Sequence, residues 1–325
     1  MIVTQTPLRL SFFGGGTDFP DYYRVDGGTV LSTAIDKYVY VIVKERFDDD
    51  IYINYSIKEI VQSVAAIRHD LVREAMRTTG VDRGIEITTL ADVPSTGTGL
   101  GSSAAVTVGL LHALHTYSGQ LVDARVLAEQ ACHIELEILD RPIGKQDQYI
   151  SAFGGLRAID FHPNHSIHVE RVRAAPATLA RLQNRLLVFF TGRTRSSSAI
   201  LNHQQRRIEQ SRADLDRLKS CAHEARDLLV SGRLDEFGEL LDTAWRHKKT
   251  LAEGVSDSAI DELYTRARAA GALGGKIAGA GGGGFLVFYV PPPSQDHVRQ
   301  ALAPLRELPV AFDPGGARVV FNIHR

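Results

Sequence analysis

The stretch DVPSTGTGLGSSAA, Asp92 to Ala105, sets three alternate glycines, Gly97, Gly99 and Gly101, between a proline and an apolar run. Pro94 ends whatever strand precedes it, the glycines free the backbone to turn, and Ser102-Ser103 open a segment with helical character. The first N–H groups of a helix have no acceptor inside it and lie at the positive end of its dipole, so an anion can supply the missing partner. This is the chemistry of a phosphate cradle. Glycines without side chains let the phosphate come close.

The flanks support a rigid mounting for that loop. Gly84 to Leu90 reads as a strand leading in, and Ala104 to Tyr117 is so nearly continuous in apolar residues that the helix is expected to be buried. Residues 2–13 alternate as a strand that carries Arg9 into Gly14-Gly15-Gly16-Thr17-Asp18. A β-rich segment, Gly28 to Phe47, ends at Asp48-Asp49-Asp50, read as a solvated hairpin tip rather than a metal site. Ile51 to Tyr55 is a short strand. Residues 57–79 show Ile60, Val64, Ile67, Leu71 and Ala75 at helical spacing. A helix capped by Asp123 runs to about Leu139 and carries Glu129, Glu135 and Glu137. Arg141-Pro142-Ile143-Gly144 breaks it, and Lys145-Gln146-Asp147-Gln148-Tyr149 follows before Gly154-Gly155. Polar residues held between such breakers suit chemistry better than packing.

In the second half, residues 176–186 read as a hinge and Arg185 to Phe190 as a strand. Thr191 to Ser198 is a polar loop with Arg193 and Arg195, and Ala199 to about Leu229 is one long helical region. A second glycine-rich stretch, Gly274 to Gly284, enters the strand FLVFYV. A helix from Ser294 to Leu305 and a strand from Ala317 to Ile323 finish an α+β layer. His162, His165 and His168 lack the cysteine or helical context of a zinc site and read as a solvated hairpin.

With 325 residues the chain is long for one core, which predicts two domains, 1–180 and 181–325. Lys and Arg number 37 against 38 Asp and Glu, so nothing attracts a polyanion and nucleic acid is not expected as a partner. Cys132 and Cys221 fall in helical stretches, which excludes a disulfide framework and suits a reducing, cytoplasmic setting. No apolar run is long enough to span a bilayer and no signal peptide is legible, so no membrane partner is expected.

Two phosphate-binding patterns fail. A P-loop needs GxxxxGK[ST], but Lys276 is followed by Ile277 and Ala270 stands where the first glycine belongs; a dinucleotide fold needs GxGxxG after a first strand, where this chain has GTGLGSS. Three other segments, PLRLSFFGGGTD (7–18), PSTGTGLGSSAA (94–105) and KIAGAGGGGF (276–285), resemble in order and spacing the three motifs of the GHMP kinases. The resemblance implies an N-terminal domain like the second domain of ribosomal protein S5 and a ferredoxin-like C-terminal domain, with ATP and acceptor between them. Within the family, GGGTDFPDYY, GKQDQYISAFGG, TGRTRSSSAIL and AWRHKKTL are most similar to the bacterial kinases of D-glycero-α-D-manno-heptose 7-phosphate. That similarity implies phosphorylation of the anomeric C1 hydroxyl on the way to GDP-heptose for surface polysaccharide. Fucokinase-like enzymes share part of the pattern, so a kinase of fucose, galactose or a uronic acid is the alternative, and a non-catalytic sugar sensor another.

Carried over by position, Gly97, Thr98, Gly99, Leu100, Gly101, Ser102, Ser103 and Ala104 would hold ATP, and Ser103 with Glu135 would hold Mg²⁺. From the residues alone, Glu129 and Glu137 serve as well as Glu135. Asp147 matches the catalytic aspartate. Phosphoryl transfer asks for positioning, charge neutralisation and a carboxylate for the hydroxyl proton, and Asp147 suits that role if Arg9 lies beside it. The sugar phosphate would meet Gly16, Thr17, Asp18, Lys145, Asp147, Gln148, Gly281 and Gly282. Its distal phosphate would be held by Arg193 and Arg195, whose forks fit phosphate, with Lys145 and Lys248 further candidates. A homodimer is compatible with this reading.

Overall fold

The computed structural model describes residues 1–94, 97–194 and 197–323. β1 (Ile2–Phe13) and the 18-residue β2 (Gly28–Glu45) are joined by the first glycine turn and a short helix, α1 (Pro20–Asp26), that begins on proline. A hairpin of β3 (Ile51–Asn54) and β4 (Lys58–Val61) follows, then α2 (Asp70–Thr79) and β5 (Ile85–Ala91). α3 (Ser102–Tyr117) starts directly after the glycine loop and is buried along most of its length, as its apolar sequence predicts. α4 (Ala124–Cys132) begins at Asp123, whose Oδ1 accepts the Val126 N–H at 2.9 Å. The helix then widens into a π-helical segment, His133–Ile138.

α5 (Gln146–Phe153) carries the QDQ sequence and is followed by the hairpin of β6 (Leu156–Phe161) and β7 (Ile167–Arg171). The long β2 serves two neighbours: Val39–Glu45 pairs with β5, and Gly28–Thr33 pairs with β6. α6 (Pro176–Gln183) leads into β8 (Leu186–Phe190), and α7 (Ser197–Arg206), α8 (Arg212–Ser231), α9 (Leu234–Thr250) and α10 (Ser258–Ala269) come next. β9 (Gly274–Ile277), β10 (Phe285–Tyr289), α11 (Gln295–Ala301), β11 (Arg306–Glu307) and β12 (Arg318–Asn322) complete the chain.

Two sheets result, so the expected α+β class holds. The eight-stranded sheet runs β12-β1-β2-β5-β3-β4 with β6 and β7 on the far half of β2; the four-stranded sheet runs β11-β8-β10-β9. Taking β8 to β11 as strands one to four, the order is 4-1-3-2, all antiparallel, with helices between, which is the ferredoxin-like arrangement. One hydrophobic cluster crosses between the sheets. Phe237 of α9 packs edge-on against Phe12 and Phe13 of β1, with centroids 5.6 and 5.1 Å apart. That contact fixes the two walls of the cleft described below.

Four expectations are corrected. Residues 57–79 are not one helix: the alternating Lys58–Val61 pairs with β3, Ile60 is exposed, and buried Glu59 accepts N–H groups of Arg68 and His69 at 2.7 and 3.1 Å before α2 begins. The 176–186 hinge is mostly α6, because Pro176 at its first turn starts a helix as readily as it ends one. The helical region 199–229 is broken at 207–211 so that α8 can turn onto β1 and β2. The last strand leaves the second layer and pairs with β1 in the first sheet, Ile2 opposite Asn322. No described helix is long and apolar enough to cross a membrane.

Candidate active site between the two sheets

Arg9 lies in β1 with 3% of its surface exposed, and its backbone N–H donates to Leu100 O at 3.0 Å, tying the strand to the glycine loop. Its side chain is a fork on Asp147: Nε donates to Oδ1 at 2.7 Å and Nη2 to Oδ2 at 2.6 Å. Its third nitrogen, Nη1, donates to Gly99 O. Asp147 stands in the first turn of α5 with a quarter of its side chain open, enough to meet a hydroxyl. The pair expected from residues 138 positions apart therefore forms, and it adjoins the loop.

Gly97, Thr98, Gly99, Gly101, Ser102, Ser103 and Ala104 line a cleft of about 410 Å³. Leu100 is buried beneath it. The second glycine stretch clamps the loop from the other sheet: Gly99 has φ +75°, and a Cβ there would stand 2.3 Å from Ala278 O. The two stretches meet backbone to backbone, and the helix start of α3 faces the cleft between them.

Burial decides among the three glutamates. Glu135 is buried at 1% exposure, whereas Glu129 and Glu137 are exposed. Ser103 Oγ donates to Glu135 Oε2 at 2.8 Å, and Gln148 Nε2 donates to Oε1 at 3.1 Å. Burial pushes the Glu135 carboxyl up from its ordinary value, with the Ser103 bond opposing. Arg141 Nη1 donates to both Ser103 Oγ, at 2.6 Å, and Glu135 Oε2, at 3.2 Å, while Nη2 reaches Asp70 at 2.8 Å. A hydroxyl and a carboxylate thus converge on a point already facing a cationic N–H. This donor set fits Mg²⁺, which takes its remaining oxygens from phosphate and water. Among the described residues no group of three or more His, Cys, Asp or Glu could hold a metal alone.

The opposite wall is built of side chains. Asp18 is buried, accepts N–H groups of Gly16 at 2.9 Å and Gln146 at 3.1 Å, and has its carboxyl raised by burial despite those bonds. Lys248 of α9 and Lys276 of β9 reach the same wall, both buried; burial lowers them to about 8 and about 7. Arg141, Gln146, Gln204 and Lys276 also line the cleft. Sequence reasoning gave them no role, although Arg141 and Gln146 sit in the polar run between breakers.

Some expected contacts do not reach the cleft. Thr17 is buried and donates to Gly14 O and Thr29 O, holding the turn rather than a ligand. Lys145 extends over the Tyr23 ring at 5.7 Å, and Gly282 donates its N–H to Val255 O at 2.9 Å. Gly16, Asp18, Gln148 and Gly281 do line the cleft. Arg193 is not among the lining residues; it pairs with Asp257 at 2.8 Å because that residue caps the neighbouring helix α10. Arg195 lies outside the described residues.

An anion-binding helix start, a paired hydroxyl and carboxylate for a cation, and a carboxylate beside an arginine define a phosphotransferase site. The sequence matches the GHMP kinases N terminal domain over residues 60–155 and the GHMP kinases C terminal domain over 225–309. The chain belongs to the GHMP kinases. It is 31% identical over 318 residues to a D-glycero-alpha-D-manno-heptose 7-phosphate kinase of Campylobacter jejuni, covering 93% of each chain. Among solved structures it is similar to a D-glycero-D-manno-heptose 1-phosphate kinase from Bacteriodes thetaiotaomicron, with TM-score 0.82, 26% identity and full coverage of both chains. It also resembles a putative sugar kinase of Campylobacter jejuni, with TM-score 0.78 and 28% identity, over 98% of this chain and 97% of that one.

Proposed function

We propose that this GHMP kinase transfers the γ-phosphoryl group of ATP to the anomeric hydroxyl of a heptose phosphate, D-glycero-α-D-manno-heptose 7-phosphate, giving the 1,7-bisphosphate. The observation that carries the reading is the Arg9–Asp147 fork at the meeting point of the glycine loop and the side-chain wall. An acceptor hydroxyl beside the open face of Asp147 gives its proton to that carboxylate. Its oxygen bonds to the γ-phosphorus while the bond from that phosphorus to the β,γ-bridging oxygen breaks, and ADP leaves. Arg9 holds Asp147 in register and places positive charge beside the transferring group. Ser103 and Glu135 are the residues that would hold Mg²⁺, whose chemistry is neutralisation of phosphate charge. Arg141 then has Asp70 as its other partner. The names of the two heptose kinase relatives agree on a heptose monophosphate as acceptor and differ on which phosphate it bears. Buried, unpaired Cys132 and Cys221 suit a cytoplasmic enzyme.

The test is an assay of purified protein with ATP and Mg²⁺ on the heptose 7-phosphate, the free heptose, L-fucose and D-galactose, with products read by ³¹P NMR. A new anomeric phosphate signal from the heptose 7-phosphate is expected. Turnover of fucose or galactose alone would defeat the assignment.

A further inference from the structure

Among the described residues, each cation on the cleft but one has work in the scheme above or in the fold. Arg9 serves Asp147, Arg141 faces Ser103 and Glu135, and Lys276 donates to the carbonyls of Ser11 and Phe12 at 2.9 and 3.2 Å. Lys248 differs. It is 6% exposed, its Nζ makes two long contacts, to Gly15 O and Gln204 Oε1, both at 3.4 Å, and among the described residues no carboxylate pairs with it. Gln204 of α7 is 1% exposed and gives its oxygen to that lysine, leaving Nε2 without a partner among the described residues. Ser11 Oγ is likewise buried without a partner, close to Gly15. The backbone makes room for this group: Gly16 has φ +110°, and a Cβ there would fall 2.5 Å from Gln204 Nε2.

We infer that Lys248, Gln204 and Ser11 form an anion subsite for the phosphate ester that the acceptor already carries. A buried ammonium with no direct ion-pair partner among the described residues, offset only by the field of the buried Asp18 carboxylate, is costly to keep, and the open cleft is where compensation can arrive. A sugar hydroxyl cannot neutralise it. A phosphate dianion can, and the amide N–H and the serine hydroxyl add directional donors for its other oxygens. The two carboxylates on this wall are already engaged, Asp147 by the Arg9 fork and Asp18 by the N–H groups of Gly16 and Gln146. The inference rests on the acceptor proposed above and assigns its distal phosphate to this wall in place of the arginine loop.

The experiment compares kcat/KM for D-glycero-α-D-manno-heptose 7-phosphate with that for the same heptose lacking phosphate, in the wild type, Lys248→Met, Lys248→Arg and Gln204→Leu. The preference for the phosphorylated sugar should fall about 30-fold or more in Lys248→Met, less in Gln204→Leu, and partly return in Lys248→Arg. A thermal melt of Lys248→Met at or above the wild-type midpoint would show that the fold is intact. A preference that survives in Lys248→Met overturns the subsite, and so does a rise in KM for ATP with KM for the heptose phosphate unmoved. Wild-type protein inactive on both heptoses would instead strike the proposed activity, and the subsite would fall with it.

Discussion

The two walls of the cleft are made differently. One wall, where the nucleotide is proposed to bind, is backbone: the glycine loop, the start of α3, and the second glycine stretch pressed against Gly99. The other wall is side chains drawn from β1, the turn before α1, α5, α7, α9 and β9, among them Arg9, Asp18, Asp147, Gln204, Lys248 and Lys276. The first can bind only what all phosphates share, because N–H groups and a helix dipole distinguish little beyond charge and shape. The second can discriminate, because its amines, amides and carboxylates are placed one by one.

This contrast sets the order of effects. Asp147→Asn should cut turnover by about a thousandfold or more and leave ATP affinity within about twofold, since the lost group acts on the hydroxyl proton; single-turnover kinetics with titration calorimetry reads both. Gly99→Ala should do the reverse. With φ +75° and Ala278 O at 2.3 Å from the new methyl, the loop must shift, and ATP should bind about tenfold or more weakly.

The third effect is on stability. Lys248 is held at about 8 by burial, below its ordinary value, so between pH 8 and about 10.4 the unfolded chain binds the extra proton. The wild type should therefore gain stability on going from pH 7.5 to 9.5, and Lys248→Met should gain less. The difference should be on the order of 2 kcal/mol by urea unfolding. An equal pH response in both proteins would mean that the amine is solvated. The smallest effect is expected from Arg193→Ala. It removes a half-exposed pair with Asp257, which should cost under about 1 kcal/mol and shift KM for the acceptor less than about threefold. A larger KM shift would return the arginine loop to the acceptor site.

The legibility of the two walls in the sequence follows from their construction. Glycines at alternate positions before an apolar helix declare a phosphate loop without any tertiary information, and Arg9 and Asp147 were marked by the motifs around them. Glu135 is not separable from Glu129 and Glu137 by residue type, and it is the burial of its helix face, with Ala128 and Ala131, that sets it apart. Arg193 looked like a phosphate ligand in sequence, yet Asp257, 64 positions away, takes its charge. Ile60 fitted a helical stripe, and pairing with β3 overrode it. The division between halves was drawn along the chain, whereas β12 crosses back to β1.

By itself, then, the sequence determined an α+β kinase with its glycine loop and marked Arg9 and Asp147 as candidates, since local backbone chemistry and short motifs carry those. Tertiary structure alone decided which glutamate is buried against Ser103, that Arg9 and Arg193 are paired with carboxylates, and that Lys248 and Gln204 end up buried on the cleft. A charged side chain's role depends on what surrounds it, and its surroundings come from segments the local sequence does not name.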